Sequence, residues 1–547
     1  MRAQCRAMLT NLRPKTAEDW FVWCFALSTF VGVWYALPML NIIKDTSGFS
    51  GGVLRSIEAH SLLPNVLDYG TVTFYICYAV IAVFLALALP FYHFSVEAMK
   101  SGLLEHPEYI YAISRAVSAS GVAILLLYVY RFLKEEVENP LYRLAIITSV
   151  FGNILVAALT RSGKVWVLST VFGTAAVIVC LRSLRNEQLP GKKAALSLFL
   201  VALAAANFIL TALYGIVLFI FAYFYRRPGE WKKLAMYALG AALIFIGITA
   251  LDYQNLYNLV VVIFTGYHPL LTSQATAHVQ LSFFPSLGIH FVQLLEIYPL
   301  VLLLILFALW RGIAHKRLLW VGIIVAVVYF LIISFVGNWY SDTATYMRYL
   351  YPLGFLFIPI LAALKPPPRS VTIAAIALNT IIYLYTIILL SIPATYNLAA
   401  NAIIDTYGSS NAIFENHIFE LDLPMNKQSY ALLDSQNCAT KCQNALAATV
   451  DIPFKPIVET IYSTSSTEAL PRLVIVETPL TYCGKVLLSV PGGTPTQHYI
   501  DIEYGLGTYL DPSFYTLHAL GKHIFVYDRS ACPSLVVPED TPDTDTL

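Results

Sequence analysis

Asp45 stands just beyond the end of the first long apolar run, in the polar stretch from Asn41 to Tyr75. Partial desolvation at such a place raises a carboxylate's pKa and makes it a better general base toward a hydroxyl nucleophile. An idle loop acid beside Lys44 is the plain alternative. Glu58 and Asp68, in the same stretch, are secondary acids; Ser50 can cap a short helix from Val53 to Leu62 that sets Arg55 and Glu58 at i and i+3, the spacing of an ordinary ion pair. Four basic residues, Arg115, Arg161, Lys164 and Arg348, fall at the matching ends of apolar runs. Cations there suit a phosphate-like leaving group, because charge interactions strengthen where water is scarce. For Lys164, anchoring to lipid headgroups competes with that role. Arg348 lies in Tyr346-Met-Arg348-Tyr-Leu-Tyr-Pro352 and leads directly into an apolar run, where a charge is expensive unless it is paired or used.

No metal or cofactor is expected. Cys438-Ala-Thr-Lys-Cys442 lacks zinc-knuckle spacing and a histidine partner, and no phosphate-binding glycine loop or dinucleotide fingerprint is present. The net charge of +1 provides no field for nucleic acid.

These residues must be positioned by membrane helices. Of the 547 residues 58% are apolar and 12% charged, about half the charge of a soluble domain, and mean hydropathy is +0.67. Apolar runs near 20–40, 112–132, 143–160, 165–182, 194–208, 209–225, 234–251, 292–310, 318–336, 347–364 and 371–392 predict about eleven spans. The split of 194–225 into two is the weakest. With the N-terminus (1–19) in the cytoplasm, the basic clusters Arg2–Lys15, Arg131–Arg143, Arg182–Lys193, Arg226–Lys233, Arg311–Arg317 and Lys365–Arg369 all fall inside, as short loops should. That parity holds only if the run 73–92 lies in the outer interface or re-enters. The expected fold is therefore a polytopic α-helical membrane protein: a membrane domain over 20–394, whose first outer loop is 41–111. An extracytoplasmic α/β or α+β domain follows over 395–537, then an acidic tail over 538–547. Tyr430-Ala-Leu-Leu, Leu473-Val-Ile-Val-Glu, Val486-Leu-Leu-Ser-Val and His523-Ile-Phe-Val-Tyr read as strands. Cys438, Cys442, Cys483 and Cys532 in that domain are compatible with two disulfides or four thiols.

The order Asp45-Thr46, helix to Leu62, Pro64-Asn65, Asp68-Tyr69-Gly70, then Ser114-Arg115-Ala-Val-Ser-Ala and Arg348-Tyr-Leu-Tyr-Pro resembles the GT-C superfamily of polyprenyl-phosphate-sugar-dependent glycosyltransferases, of the protein mannosyltransferase and aminoarabinose transferase type. The resemblance implies a GT-C-like membrane domain and Asp45 as the catalytic or acceptor-positioning acid. It also implies Arg348 as a phosphate contact and transfer of one sugar from a polyprenyl-phosphate carrier to a glycan, lipid or protein acceptor on the outer face. The setting would be an integral membrane protein of the plasma membrane or endoplasmic reticulum, in contact with membrane lipids. It departs from the family at Thr46, where a second acid is usual, and at Arg161-Ser-Gly-Lys164-Val-Trp, which has no acid. A lipid-linked sugar transporter or flippase, or a catalytically silent relative acting in glycan assembly, are the alternatives.

Overall fold

The computed structural model describes residues 14–37, 53, 56–57, 60–63, 70–105, 108–185, 191–215, 230–251, 257, 283–336, 347–407, 473–476, 485–492, 506–515, 517–521 and 523–528. It is a helical bundle, and among the described residues six helices are long and apolar enough to cross a membrane, or up to eight if two bent pairs each count as one. Helices are α1 Ala17–Ser28, α2 Thr71–Ala88, α3 Val96–Glu105, α4 Glu108–Glu136, α5 Pro140–Phe151, α6 Ile154–Thr160, α7 Val165–Arg185 and α8 Gly191–Asn207. They continue as α9 Glu230–Ala250, α10 Phe283–Ile297, α11 Pro299–Arg311, α12 Lys316–Val336, α13 Tyr351–Ala362, α14 Arg369–Leu389 and α15 Thr395–Tyr407.

Charged residues sort to the two ends of this bundle. At one end Thr16 caps α1 in a capping box with Asp19. Asp19 Oδ1 accepts from Tyr130 at 2.8 Å and from Lys134 at 2.5 Å, while Oδ2 accepts from the Lys15 and Thr16 amides. Burial alone would raise the Asp19 carboxyl, but Lys134, the Lys15 amide, Tyr130 and Thr16 hold it well below the usual carboxylate range. Glu18 takes a bidentate pair from Arg143 at 2.7 and 2.6 Å, and Arg182 meets Glu135 at 2.8 Å. Along α4, Lys134 lies about 28 Å from Arg115, close to the apolar thickness of a bilayer.

The first span differs from the expected continuous helix over 20–40. α1 ends at Ser28, and residues to Leu37 run through turns, with Gly32 at φ +87 and Ala36 at φ +57. Gly32 can adopt that left-handed conformation because it has no side chain.

The span expected at 143–160 is likewise two helices, α5 and α6, bent by 63°. Asn153 caps α6 by accepting from the Leu155 amide, and its Nδ2 donates to Ile297 O at 2.6 Å. Ile297 is itself at a break. The span expected at 292–310 starts earlier, at Phe283, and α10 and α11 meet at 84° where Pro299 opens α11. One asparagine therefore caps one bend and satisfies a carbonyl at the other.

The long run 194–225 does divide. α8 ends at Asn207, whose amide donates to Val165 O and accepts from the Thr73 amide. The 3-10 segment Ile209–Gly215 then pairs Thr211 with Ser169 at 2.6 Å and lays Tyr214 over Gly173. Positions 165, 169 and 173 are successive turns of α7, so the chain reverses at Phe208 and runs back along it.

α2 shares an apolar cluster with Ile110, Tyr111, Ile113 and Val117 in the first half of α4, and Cys77 lies against Ser114. Tyr92, in the 3-10 turn ending α2, fills the space beside Gly102 of α3, leaving no room for a Cβ there. Six residues separate Gly102 from Glu108, which keeps Tyr92 within about 25 Å of the start of α4. Had α2 run alongside α4 from the Cys77 contact, Tyr92 would lie roughly 31 Å away, level with Val129. Tyr92 thus lies nearer the start of α4 than a run alongside it would place it; Thr71–Tyr92 is one of the six helices long and apolar enough to cross.

Three of the four predicted strands are present: β1 Leu473–Val476, β2 Val486–Val490 and β3 Ile524–Asp528 form an antiparallel sheet in the order β1-β3-β2, and the stretch from Tyr430 lies outside the described residues. Leu506, Tyr509, Phe514, Leu520, Ile524 and Val526 share one apolar core with the bundle. The Thr395 amide donates to Leu520 O, and Tyr385 of α14 packs edge-on against Phe514.

Candidate functional site

The loop between α6 and α7 is short and fixed. Gly163 takes φ +70, and Ser162 Oγ donates to Leu159 O while accepting from the Lys164 amide. This sets Lys164 immediately before the first residue of α7 and Trp166 in its first turn. Lys164 is only 1% exposed, so it is not a surface lysine reaching for headgroups. Its Nζ lies 5.6 Å from the centroid of the Trp166 ring. Arg348 comes to the same ring from the other side of the sequence: its Cζ lies 4.4 Å from that centroid. The two charges are therefore at most about 10 Å apart.

The turn carrying Arg348, the 3-10 segment Met347–Leu350, is held by three phenol contacts. Tyr349 stacks on Trp166 at 5.6 Å and 26°, Tyr329 donates to Tyr349 O at 2.9 Å, and Tyr298 donates to Leu350 O at 3.0 Å. Phe208 packs on Trp166 at 5.6 Å. The indole N–H of Trp166, 4% exposed, has no hydrogen-bond partner among the described residues. Two cations, a buried indole donor and the N-terminus of a 21-residue helix thus converge, an arrangement that favours a bound anion.

Arg115 and Arg161 stand apart from this cluster. Both are buried, and their guanidinium groups hold the unwound end of the first span. Arg115 donates to Val33 O at 3.2 Å and to Tyr35 O. Arg161 donates to Val31 O, to Ala157 O, to Ser28 O at 2.9 Å and to Tyr383 OH at 3.1 Å. Ser28 Oγ already donates to Phe25 O, so the 2.8 Å contact with Tyr383 is donated by the phenol, and the polarity runs from Arg161 through Tyr383 to Ser28. Side-chain donors replace the amides that a continuous helix would have supplied. Asn397 of α15 adds a third brace, donating to Leu37 O at 3.0 Å.

Asp45, Glu58 and Asp68 lie outside the described residues. Of the helix expected over 53–62, Val53, Ser56 and Ile57 are helical, whereas His60 has φ +50 and the chain has left the helix. Among the described residues no three His, Cys, Asp or Glu side chains come together as a metal site. Of the eight cysteines, Cys24, Cys77 and Cys180 are free thiols, and Cys5 and the four of the C-terminal region lie outside the described residues.

Sequence reasoning passed over Trp166, though it is the ring on which both cations meet. It also passed over Gln293 and Glu296, an amide and an acid inside an apolar run, which is itself a signal. Compared with models of known families, with curated proteins and with solved structures, the chain matches none.

Proposed function

We propose that the chain is a membrane glycosyltransferase that moves a sugar from a polyprenyl-phosphate carrier to an acceptor hydroxyl. The observation that carries the reading is the convergence of Lys164, Arg348 and the buried indole N–H of Trp166 at the start of α7. In the reaction the acceptor oxygen attacks the anomeric carbon, the bond from that carbon to the phosphate oxygen breaks, and the electron pair leaves with the lipid phosphate. Lys164, Arg348 and Trp166 would receive the growing negative charge. Asp45 would take the acceptor's proton. Arg115 and Arg161 would act one step back, by fixing the chain that leads from the first span into the loop bearing Asp45.

In this reading the end bearing Asp19, Lys134, Arg143 and Arg182 faces the cytoplasm, and the Trp166 cluster and the C-terminal sheet face outward. α2 and α3 then lie at the outer interface and eleven segments cross, in keeping with the way Tyr92 returns toward the start of α4. The test is transfer of a labelled sugar from polyprenyl phosphate in membranes carrying Asp45→Asn or Arg348→Ala. Both variants should lose transfer, and undiminished activity in either removes that residue from the mechanism. The bent pairs and the unwound first span favour a second reading, a lipid-linked sugar flippase, because transporters place binding sites at broken helices. Protein-dependent movement of the intact glycolipid across vesicles, with no glycosyl transfer, would select it.

A further inference from the structure

α10 is amphipathic in the inverse sense. Phe284, Phe291, Val292 and Leu295 are exposed on one face, while Ser286, His290, Gln293 and Glu296 are buried on the other. A helix between water and an apolar core would show the opposite distribution. In a lipid-embedded bundle, amide and ionisable side chains turn inward, toward partners or a polar chamber. The four residues follow one another in steps of four, three and three, so they form a single stripe, about 15 Å from Ser286 to Glu296.

The stripe is chemically mixed. Ser334 Oγ donates to Phe330 O, so in its 3.2 Å contact with His290 it accepts from Nδ1–H. Nδ1 is therefore the protonated nitrogen in this contact. Ser286 Oγ, 1% exposed, has no hydrogen-bond partner among the described residues. Gln293 offers both a donor and an acceptor, and Glu296 offers a carboxyl. The Glu296 end joins the anion cluster: α10 packs on the turn Met347–Leu350, and Tyr298, two residues beyond Glu296, donates to Leu350 O.

We infer that this inward face of α10 binds the hydroxyl groups of the sugar carried on the lipid phosphate. The inference rests on the lipid-phosphate reading above. Alternating donors and acceptors match hydroxyls, each of which is both, and a carboxyl on this wall disfavours a second phosphate there. The headgroup is thus a polyol ring beside the phosphate, with Gln293 and Glu296 nearest the phosphate and Ser286 farthest.

The test is equilibrium binding to the purified full-length chain in detergent. The ligands are farnesyl phosphate and its mannosyl, glucosyl and glucosaminyl forms; the proteins are wild type, Gln293→Leu, Glu296→Gln and Arg348→Ala. One or more glycosylated lipids should bind wild type about tenfold more tightly than farnesyl phosphate, the effect of one or two added hydrogen bonds. Gln293→Leu and Glu296→Gln should erase that advantage and leave farnesyl phosphate binding unchanged. Arg348→Ala should weaken all four lipids alike. If either α10 variant melts early, Ser286→Ala carries the same comparison. Equal loss for bare and glycosylated lipids, no loss for any, or equal binding of both kinds to wild type overturns the inference and leaves the phosphate reading standing. Failure of every lipid to bind wild type overturns the phosphate reading, and this inference with it.

Discussion

Replacing Arg161 by methionine keeps the length and apolar stem of the side chain and removes its five N–H donors. Of the oxygens it serves where α1 has ended, Ser28 O keeps the Val31 amide at 3.1 Å, whereas among the described residues no amide donates to Val31 O. A buried acceptor stripped of its donor costs about 1–3 kcal/mol, and here that acceptor is Val31 O. The desolvation of the guanidinium, which the variant no longer incurs, moves the net toward the lower end. Arg182→Met is the internal control. Its partner Glu135 is half exposed, and such a pair contributes about 1 kcal/mol at most. Thermal unfolding of the two purified variants in detergent makes the comparison, alongside maleimide labelling of a cysteine placed at Val33. Arg161→Met should melt below Arg182→Met and label faster at position 33. Equal melting within about 1 °C, with unchanged labelling, would refute the claim that Arg161 holds the unwound segment in place.

Trp166→Phe preserves the ring under Lys164 and Arg348 but removes the indole N–H; affinity for farnesyl phosphate should fall about tenfold, the effect of one hydrogen bond to a charged group, with no change in melting temperature. Asp19 binds its proton less readily folded than unfolded, relative to an ordinary value of 3.8. Its stabilisation is therefore complete well above that value and is lost as pH falls through it toward the lower folded value. Asp19→Asn should flatten the acid limb of the stability profile below about pH 5 and lower stability at pH 7; an unchanged limb would place the acid sensitivity elsewhere. A Cβ on Gly173 would lie 2.2 Å from Tyr214 Cδ2, so Gly173→Ala should cost about 1–3 kcal/mol in unfolding measurements, and a neutral result would show that the 209–215 segment does not run along α7.

The apolar runs are legible in the sequence because lipid-spanning helices need long stretches with little charge, and the three strands because their residues are β-branched or aromatic between turn formers. The bends were not legible. Asn153 reads as one polar residue in an apolar run; only the fold shows that its amide closes a second break 144 residues away. Pro299 hinted at the other bend, but a proline at the first position of a helix and one that kinks a helix look alike in sequence. The basic residues at span ends were visible, yet their division into two tasks was not. Arg115 and Arg161 answer carbonyls released by an unwinding that no local propensity announces, whereas Lys164 and Arg348 meet on a tryptophan that reads as an ordinary aromatic beside a membrane rim.

The 2.6 Å contact from Asn153 to Ile297 pins two elbows to each other. Beyond one elbow the forearm is α6, which carries the turn with Lys164; next to the other is Tyr298, whose hydroxyl grips the turn with Arg348. That bond ties the two breaks together, so a shift at one bears on the turn carried by the other.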